Sequence, residues 1–544
     1  MQPSNVPTGP ETLPHDGLGL ARRLAGSGCG ISLLLLLALL LPGAGTVAAE
    51  GPADDEILIE EDAGAAEGDS IVIDGEAAGM QGDGIAIEPE GGGSGEEEPV
   101  VIDGEPADVE GEGIVIEPEG GGTGEAASVA VEAAPAPESG ERESGSLRVR
   151  VDRLWAEYGY FPASDSYTDQ QGYLHGRAML DWRITPAWEL RATVRADGYY
   201  QWGGVDSNRT RLDYGESYLR YQRENTRITI GAQAIIWGRI DEIPPSDRLS
   251  TVDMSRFILD DLEDRRRAAP VIRLEQFIGA GKLDLVYLPW FRAAELPDQE
   301  SVWYPVRQSS GQIMGLKSTP ALSAIIRNAG FTTDAPDGNG GFGARYTGSA
   351  GALDYGLTLS RTRQSTPYFR YDPARNLFEA QYPRSWSVAG DMGLEAWGAT
   401  WRLEGAWFSD TPVTGTGGGY DTVASVSYGG GVEFYPGDGD TRVNLQLTGM
   451  NMSDPPSDPV DRTDIYSFNG SFETPFDNGQ WRLGMRFYIG LGENDVYLNP
   501  KLSWLGWEPF EFYLQAHYFQ GGDGTPGGFH EDDSLVTLGW RAHF

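Results

Sequence analysis

Residues Ser534 to Phe544 read SLVTLGWRAHF. Side chains along a β-strand point alternately to its two faces. Val536, Leu538, Trp540, Ala542 and Phe544 therefore share one face, and Leu535, Thr537, Gly539, Arg541 and His543 share the other. The first face is apolar and aromatic, and the second carries the charge. This is a two-sided strand, and the chain stops on its aromatic end.

The same period-two alternation recurs upstream. It is clear in LRVRVD from Leu147, WELRATVRAD from Trp188, RITIGAQAI from Arg227, WRLGMRFYIGL from Trp481 and FEFYLQAHY from Phe510. Eighteen candidate strands begin near residues 146, 172, 187, 213, 227, 271, 283, 342, 353, 384, 399, 421, 441, 465, 481, 496, 510 and 534. The connections alternate short and long. Short turns fall at Thr185-Pro186, Glu224-Asn225, Gly279 to Gly281, Gly348 to Ala352, Glu395 to Gly398, Pro436 to Asp440, Asp477 to Gly479 and Gly506 to Pro509. The longest loops are 238–270 and 292–341. Strands of about ten residues, apolar outward and polar inward, with alternating turn lengths, are the pattern of a transmembrane antiparallel β-barrel. The expected fold is all-β, with about 18 strands and a range of 14–18 if hairpins are misread. A soluble β-sandwich or propeller is the alternative, with its apolar faces turned inside. The terminal Trp540 and Phe544 resemble the signal by which the barrel-assembly machinery recognises outer-membrane barrels.

Upstream of residue 146 the composition changes. Arg22 and Arg23 precede an apolar run, Ile31 to Leu41, followed by small residues up to Ala49. This is the layout of a secretory signal peptide, expected over 1–49 with cleavage after Ala49. The single cysteine, Cys29, lies before the run, so a mature chain has no thiol for disulfides, catalysis or metal. The formal net charge is −42, and residues 51–140 hold 26 Asp and Glu with no Lys or Arg. Such a chain is a poor partner for nucleic acid. Residues 50–145, without an aromatic side chain, lack the apolar area to offset the entropy of ordering. They are expected to form a disordered acidic periplasmic segment. Within it IVIDGE (71–76) and IAIEPE (85–90) return as VVIDGE (100–105) and IVIEPE (114–119), with ILIEED (57–62) as a fainter copy. The segment is a self-repelling tether, a cation-binding tract, or a row of β-forming motifs. In the last case residues 55–125 would engage a periplasmic or inner-membrane export partner by strand addition. The barrel itself is expected over 146–544, with outer-membrane lipid around it.

On the inward faces the pattern places Arg148, Arg150, Arg177, Arg183, Arg191, Arg195, Arg220, Arg402, Arg482, Arg486 and Arg541. Against them stand Asp152, Asp181, Glu189, Asp197, Asp354, Glu404, Glu433 and Glu511. These charges either pair and fill the interior or line a hydrated lumen. No G-x-S-x-G or HExxH occurs, and His175, His517, His530 and His543 are scattered. The chain carries no motif of an enzyme, a metal site or a cofactor site.

The loop WGRIDEIPPSDRLSTVDMSRFILDDLEDRRRAAP, Trp237 to Pro270, is where function can concentrate. Pro244-Pro245 keeps its first half irregular, whereas Phe257, Ile258, Leu259 and Leu262 have roughly helical spacing over Ser255 to Ala268. A loop this long rarely hangs free. It folds into the lumen as a constriction or packs over the mouth as a lid. In the lumen its acids would face wall arginines and select solutes by charge, with Arg265, Arg266 and Arg267 expected to influence that selectivity. The stretch resembles the signature of a poorly characterised Gram-negative outer-membrane barrel family with WGxxD followed by FILDDxEDxR. The matching positions are Trp237, Gly238, Asp241, Asp247, Asp253, Phe257, Ile258, Leu259, Asp260, Asp261, Glu263, Asp264 and Arg265. The chain departs from that pattern at Ser250-Thr251-Val252, where the family has Asn-Pro. Genes of that family neighbour resistance-nodulation-division exporters, so the resemblance implies hydrophobic or lipidic cargo. Three functions are open at this point: a channel for hydrophilic solutes, a passage for lipid cargo, and a structural or adhesive barrel acting through its loops.

Overall fold

The computed structural model describes residues 145–163, 166–416, 418–437 and 439–544. The signal peptide and the acidic repeats of 50–144 lie outside them. The described chain is a closed antiparallel barrel of 18 strands. The first nine are β1 Leu147–Tyr160, β2 Gln170–Thr185, β3 Trp188–Trp202, β4 in two pieces (Ser207–Tyr214 and Ser217–Arg223), β5 Thr226–Gln233, β6 Ala269–Ile278, β7 Gly281–Leu288, β8 Gly341–Ala350 and β9 Leu353–Arg363. The rest are β10 Arg384–Ala396, β11 Ala399–Thr414, β12 Tyr420–Phe434, β13 Arg442–Met452, β14 Asp464–Phe476, β15 Trp481–Gly490, β16 Asp495–Trp507, β17 Phe510–Gly521 and β18 Leu535–His543. Each strand pairs with its sequence neighbour. β18 closes the ring on β1, with Trp540 opposite Ala156 and Val536 opposite Tyr160. Both pieces of β4 pair with β3, so the break at Gly215-Glu216 interrupts one stave without adding another.

All eight short connections fall at one end of the barrel, and the long loops fall at the other. Glu224 and Trp397 turn their hairpins at φ of +50° and +57°, in the left-handed region that a tight reversal requires. The outer face is apolar: Val194, Leu212, Ile230, Leu357, Leu403, Leu447, Leu514 and Leu538 are all at least half exposed. A continuous apolar surface of this size suits lipid and not water. Aromatic side chains gather at its two rims. At the short-turn end Phe510 packs on Trp540 (6.0 Å) and on Phe544 (6.4 Å). This is the girdle position of a membrane-spanning barrel. The soluble alternatives are excluded by the outward placement of the apolar faces.

The loops at the far end form a folded cap with two apolar cores. One gathers Tyr304, Ile313 and the helix Pro320–Asn328 against Phe369, Phe378 and Val460. The other joins Phe161, Phe257, Trp303, Tyr497, Phe519 and Leu535. The expected helix over Ser255 to Ala268 is absent. Thr251–Val252 pairs with Arg266–Arg267 as a two-residue ladder, and single turns lie between. Phe257 stands at φ +53°, a left-handed residue that a right-handed helix does not admit. Its apolar side chains answer to the cap core rather than to one helical face.

Candidate functional site: the third loop and the wall it meets

The third loop, residues 234–268, enters the barrel and binds the wall around most of its circumference. Its first half is held by the WGRID stretch. The Trp237 indole N–H donates to Asp284 on β7 (3.2 Å). The Arg239 side chain donates to Asp391 on β10 (2.7 Å). Asp241 accepts from Arg402 on β11 (3.3 Å), Gln446 on β13 (3.2 Å) and Asn444. Between these, the buried Glu404 carboxylate of β11 gathers four donors. They are the backbone N–H groups of Arg239 (2.6 Å), Ile240 (3.1 Å) and Ser246 (2.6 Å), and the Ser246 hydroxyl (2.6 Å). Gly238 makes this approach possible. It lies at φ +133°, and a Cβ there would sit 2.9 Å from a Glu404 oxygen.

The second half crosses to the other side. Asp253 meets Arg211 of β4 (2.5 Å) and Arg195 of β3 (3.3 Å). Arg256 pairs with Glu157 of β1 and with Asp260 (2.7 Å). Arg486 of β15 donates to the carbonyls of Ile258 (2.8 Å), Leu259 (3.2 Å) and Asp260 (3.2 Å), and to the Asp261 carboxylate (3.0 Å). Asp264 pairs with Arg153 of β1 and lies 3.7 Å from Arg541 of β18. Charged hydrogen bonds of this kind are the strong ones, and in a partly dry interior they fix position.

The wall arginines divide into two sets. Arg195, Arg486 and Arg541 reach the loop. Arg177, Arg191 and Arg482 pair along the wall instead, with Asp152, with Asp181 (2.6 Å) and with Glu473 (3.4 Å). The arginines at 266 and 267 are taken up by ion pairs. Arg266 pairs with Asp247 (2.9 Å), Arg267 pairs with Asp213 (2.7 Å) and Glu295 (2.9 Å), and Arg265 is half-buried. The charge that the loop exposes is acidic. Asp261 keeps 62% of its side chain exposed, and Glu263 is also exposed. Glu404 was visible in the sequence as an inward acid, but its four donors were not. Nothing in the local pattern marked Arg153, Glu157, Arg211 or Arg256 as loop anchors.

Asp260 lies on the buried side of the loop, where burial pushes its carboxyl up to about 7 against the pull of Arg256, with Glu157 and Asp264 adding repulsion. The sign follows from linkage. A carboxyl with a raised folded-state value favours folding while it is protonated, below the unfolded value of about 4. That contribution is lost as pH rises to about 7. The Asp260→Asn variant mimics the protonated form. Its melting temperature is expected to gain on the wild type as pH rises from about 4 to about 7 and to level off above. Parallel melting curves for the two proteins across that range would refute the assignment.

No protein-family model matches the chain, and no curated protein matches it. Solved structures do align with it. A Salmonella typhi OmpF complex with daunomycin aligns at 10% identity and a TM-score of 0.39, covering 74% of this chain and 98% of that one. Acinetobacter baumannii OccAB1 aligns at 9% and 0.44, covering 74% and 98%. Pseudomonas aeruginosa OccK11 (OpdR) aligns at 9% and 0.41, covering 74% and 97%. At such identities and scores, function has to be read from the chain's own geometry.

Proposed function

We propose that the protein is an outer-membrane channel for small hydrophilic solutes, with the third loop as its constriction. The observation that carries this reading is the loop's position, inside the ring and bound to strands on opposite walls by charged hydrogen bonds. A rigid polar constriction in a charged lumen suits hydrated solutes; lipid cargo would call for a continuous apolar path. The acidic segment upstream of β1 then belongs to the periplasm, on the short-turn side. Purified protein in planar bilayers is expected to give steady unitary currents. Silence from both the intact barrel and one lacking 240–264, in a preparation shown to be folded, would overturn the reading.

The sign of selectivity follows from which charges are exposed. Asp261, beside Arg486, and Glu263 are exposed, whereas Arg256 and Arg267 are buried in pairs and Arg266 is paired with Asp247. The channel is therefore expected to prefer cations, read as the reversal potential across a potassium chloride gradient. The Asp261→Asn variant should move that potential toward zero. A wild-type preference for chloride would contradict the assignment.

A further inference from the structure

Among the described residues, the start of β1 has an open edge. β1 pairs with β2 along its whole length, from Leu147 opposite Trp182 onward. On its other side it pairs with β18 only from Arg153, opposite His543, and the last backbone bond is Phe544 N–H to Asp152 C=O (3.1 Å). Residues Leu147 to Val151, reading LRVRV, thus have no partner on that side among the described residues. All five are exposed, with Val149 at 71%. A bare edge of this kind is a template for another strand, and natural proteins rarely leave one uncovered.

The edge has a specific character. Arg148 and Arg150 stand two residues apart on one face, between Leu147, Val149 and Val151 on the other. The acidic repeats carry the complementary spacing. Each has two acids two residues apart after an aliphatic triplet: Asp74 and Glu76, Glu88 and Glu90, Asp103 and Glu105, Glu117 and Glu119. The residue between the acids is Gly75, Pro89, Gly104 or Pro118. A repeat laid along the edge, in either direction, sets its acids against Arg148 and Arg150 and its glycine or proline against Val149. Opposite charges directly across a strand pair stabilise it, and proline is tolerated on an edge strand whose N–H faces away. The reach is sufficient. Residues 120–144 lie between the last repeat and β1, and each can span ~3.3–3.6 Å.

We propose that the acidic repeats of 71–119 dock in cis on the open edge of β1 as an added strand, one repeat at a time. The repeats are then interchangeable plugs for one edge, which accounts for several copies sharing one acid spacing.

Disulfide trapping tests this in the full chain with Cys29→Ser. Val149→Cys is combined in turn with Gly75→Cys, Pro89→Cys, Gly104→Cys and Pro118→Cys, and with Ala127→Cys as a control outside the repeats. The expected result is an intramolecular link from at least one repeat position and none from 127. Arg148→Glu with Arg150→Glu should abolish it. If that variant does not assemble, as judged by heat-modifiable gel mobility, replacing the repeat acids with Gln leaves the barrel untouched and should also abolish it. A link only between chains, no link from any repeat, or a link insensitive to both charge changes would overturn the proposal.

Discussion

Arg486→Met is expected to loosen the constriction and to destabilise the barrel together. The guanidinium donates to the carbonyls of Ile258, Leu259 and Asp260 and to the Asp261 carboxylate, and it also meets the Tyr497 hydroxyl (3.2 Å). It is the point at which β15 holds the tip of the third loop. Methionine keeps much of the length and none of the donors. Each buried acceptor left without a partner costs about 1–3 kcal/mol, and breaking a buried charged contact costs about 3–5 kcal/mol. These figures overlap, so the expected loss is about 3–5 kcal/mol in all, read as a lower melting temperature. The unitary conductance should rise, because the loop tip is freed on one side only. A variant that melts and conducts like the wild type would remove Arg486 from the role assigned to it.

Glu404→Gln should have a comparable effect from the opposite wall. One carboxylate oxygen accepts from the backbone of Arg239 and Ile240, and the other accepts from the backbone and hydroxyl of Ser246. An amide must present its NH2 group to one of these pairs of donors. Donor then faces donor in a buried site. Each buried donor left without an acceptor costs about 1–3 kcal/mol, so a pair of them costs about 2–6 kcal/mol. The current should become noisy, since the first half of the loop would lose the Glu404 cradle while Trp237 and Asp241 keep their contacts with Asp284, Arg402 and Gln446. Gly238→Ala attacks the same contact from the loop side, through the Cβ that has no room at φ +133°. Agreement between the two variants would separate loss of the contact from loss of the charge. A quiet, wild-type current from Glu404→Gln would show that the cradle does not hold the loop.

The ring of 18 strands was legible because a barrel wall is a repeated local pattern. Alternation from Trp481 or Phe510 needs only a few neighbouring residues to declare itself, and turn lengths are read directly. The third loop was legible as a special segment through its length and its WGRID stretch, but its conformation was not. Apolar residues at 257, 258, 259 and 262 have helical spacing, yet the first three pack in a cluster with Trp303, Phe161 and Phe519 from other parts of the chain. Tertiary burial decided the backbone there, and a left-handed Phe257 was the outcome. The arginines at 265–267 read as lumen charges because a sequence shows charge without showing partners. Asp247 and Asp213, which neutralise Arg266 and Arg267, lie 19 and 54 residues away.

The anchors of the third loop have a bearing on the order in which the molecule is made. Arg153 and Glu157 come from the first strand, and Arg486 and Arg541 come from β15 and β18, near the far end of the chain. These partners stand together only after β18 has zipped onto β1. Contacts between residues this distant in sequence form late, since the chain between them must be closed first. The loop is therefore the last element to lock. Until then the nascent barrel has a wide lumen and a loop that proteases can reach. Ring closure is then the event that fixes the third loop as well as the wall, so a barrel arrested before its final strand pairs would leave its lumen open.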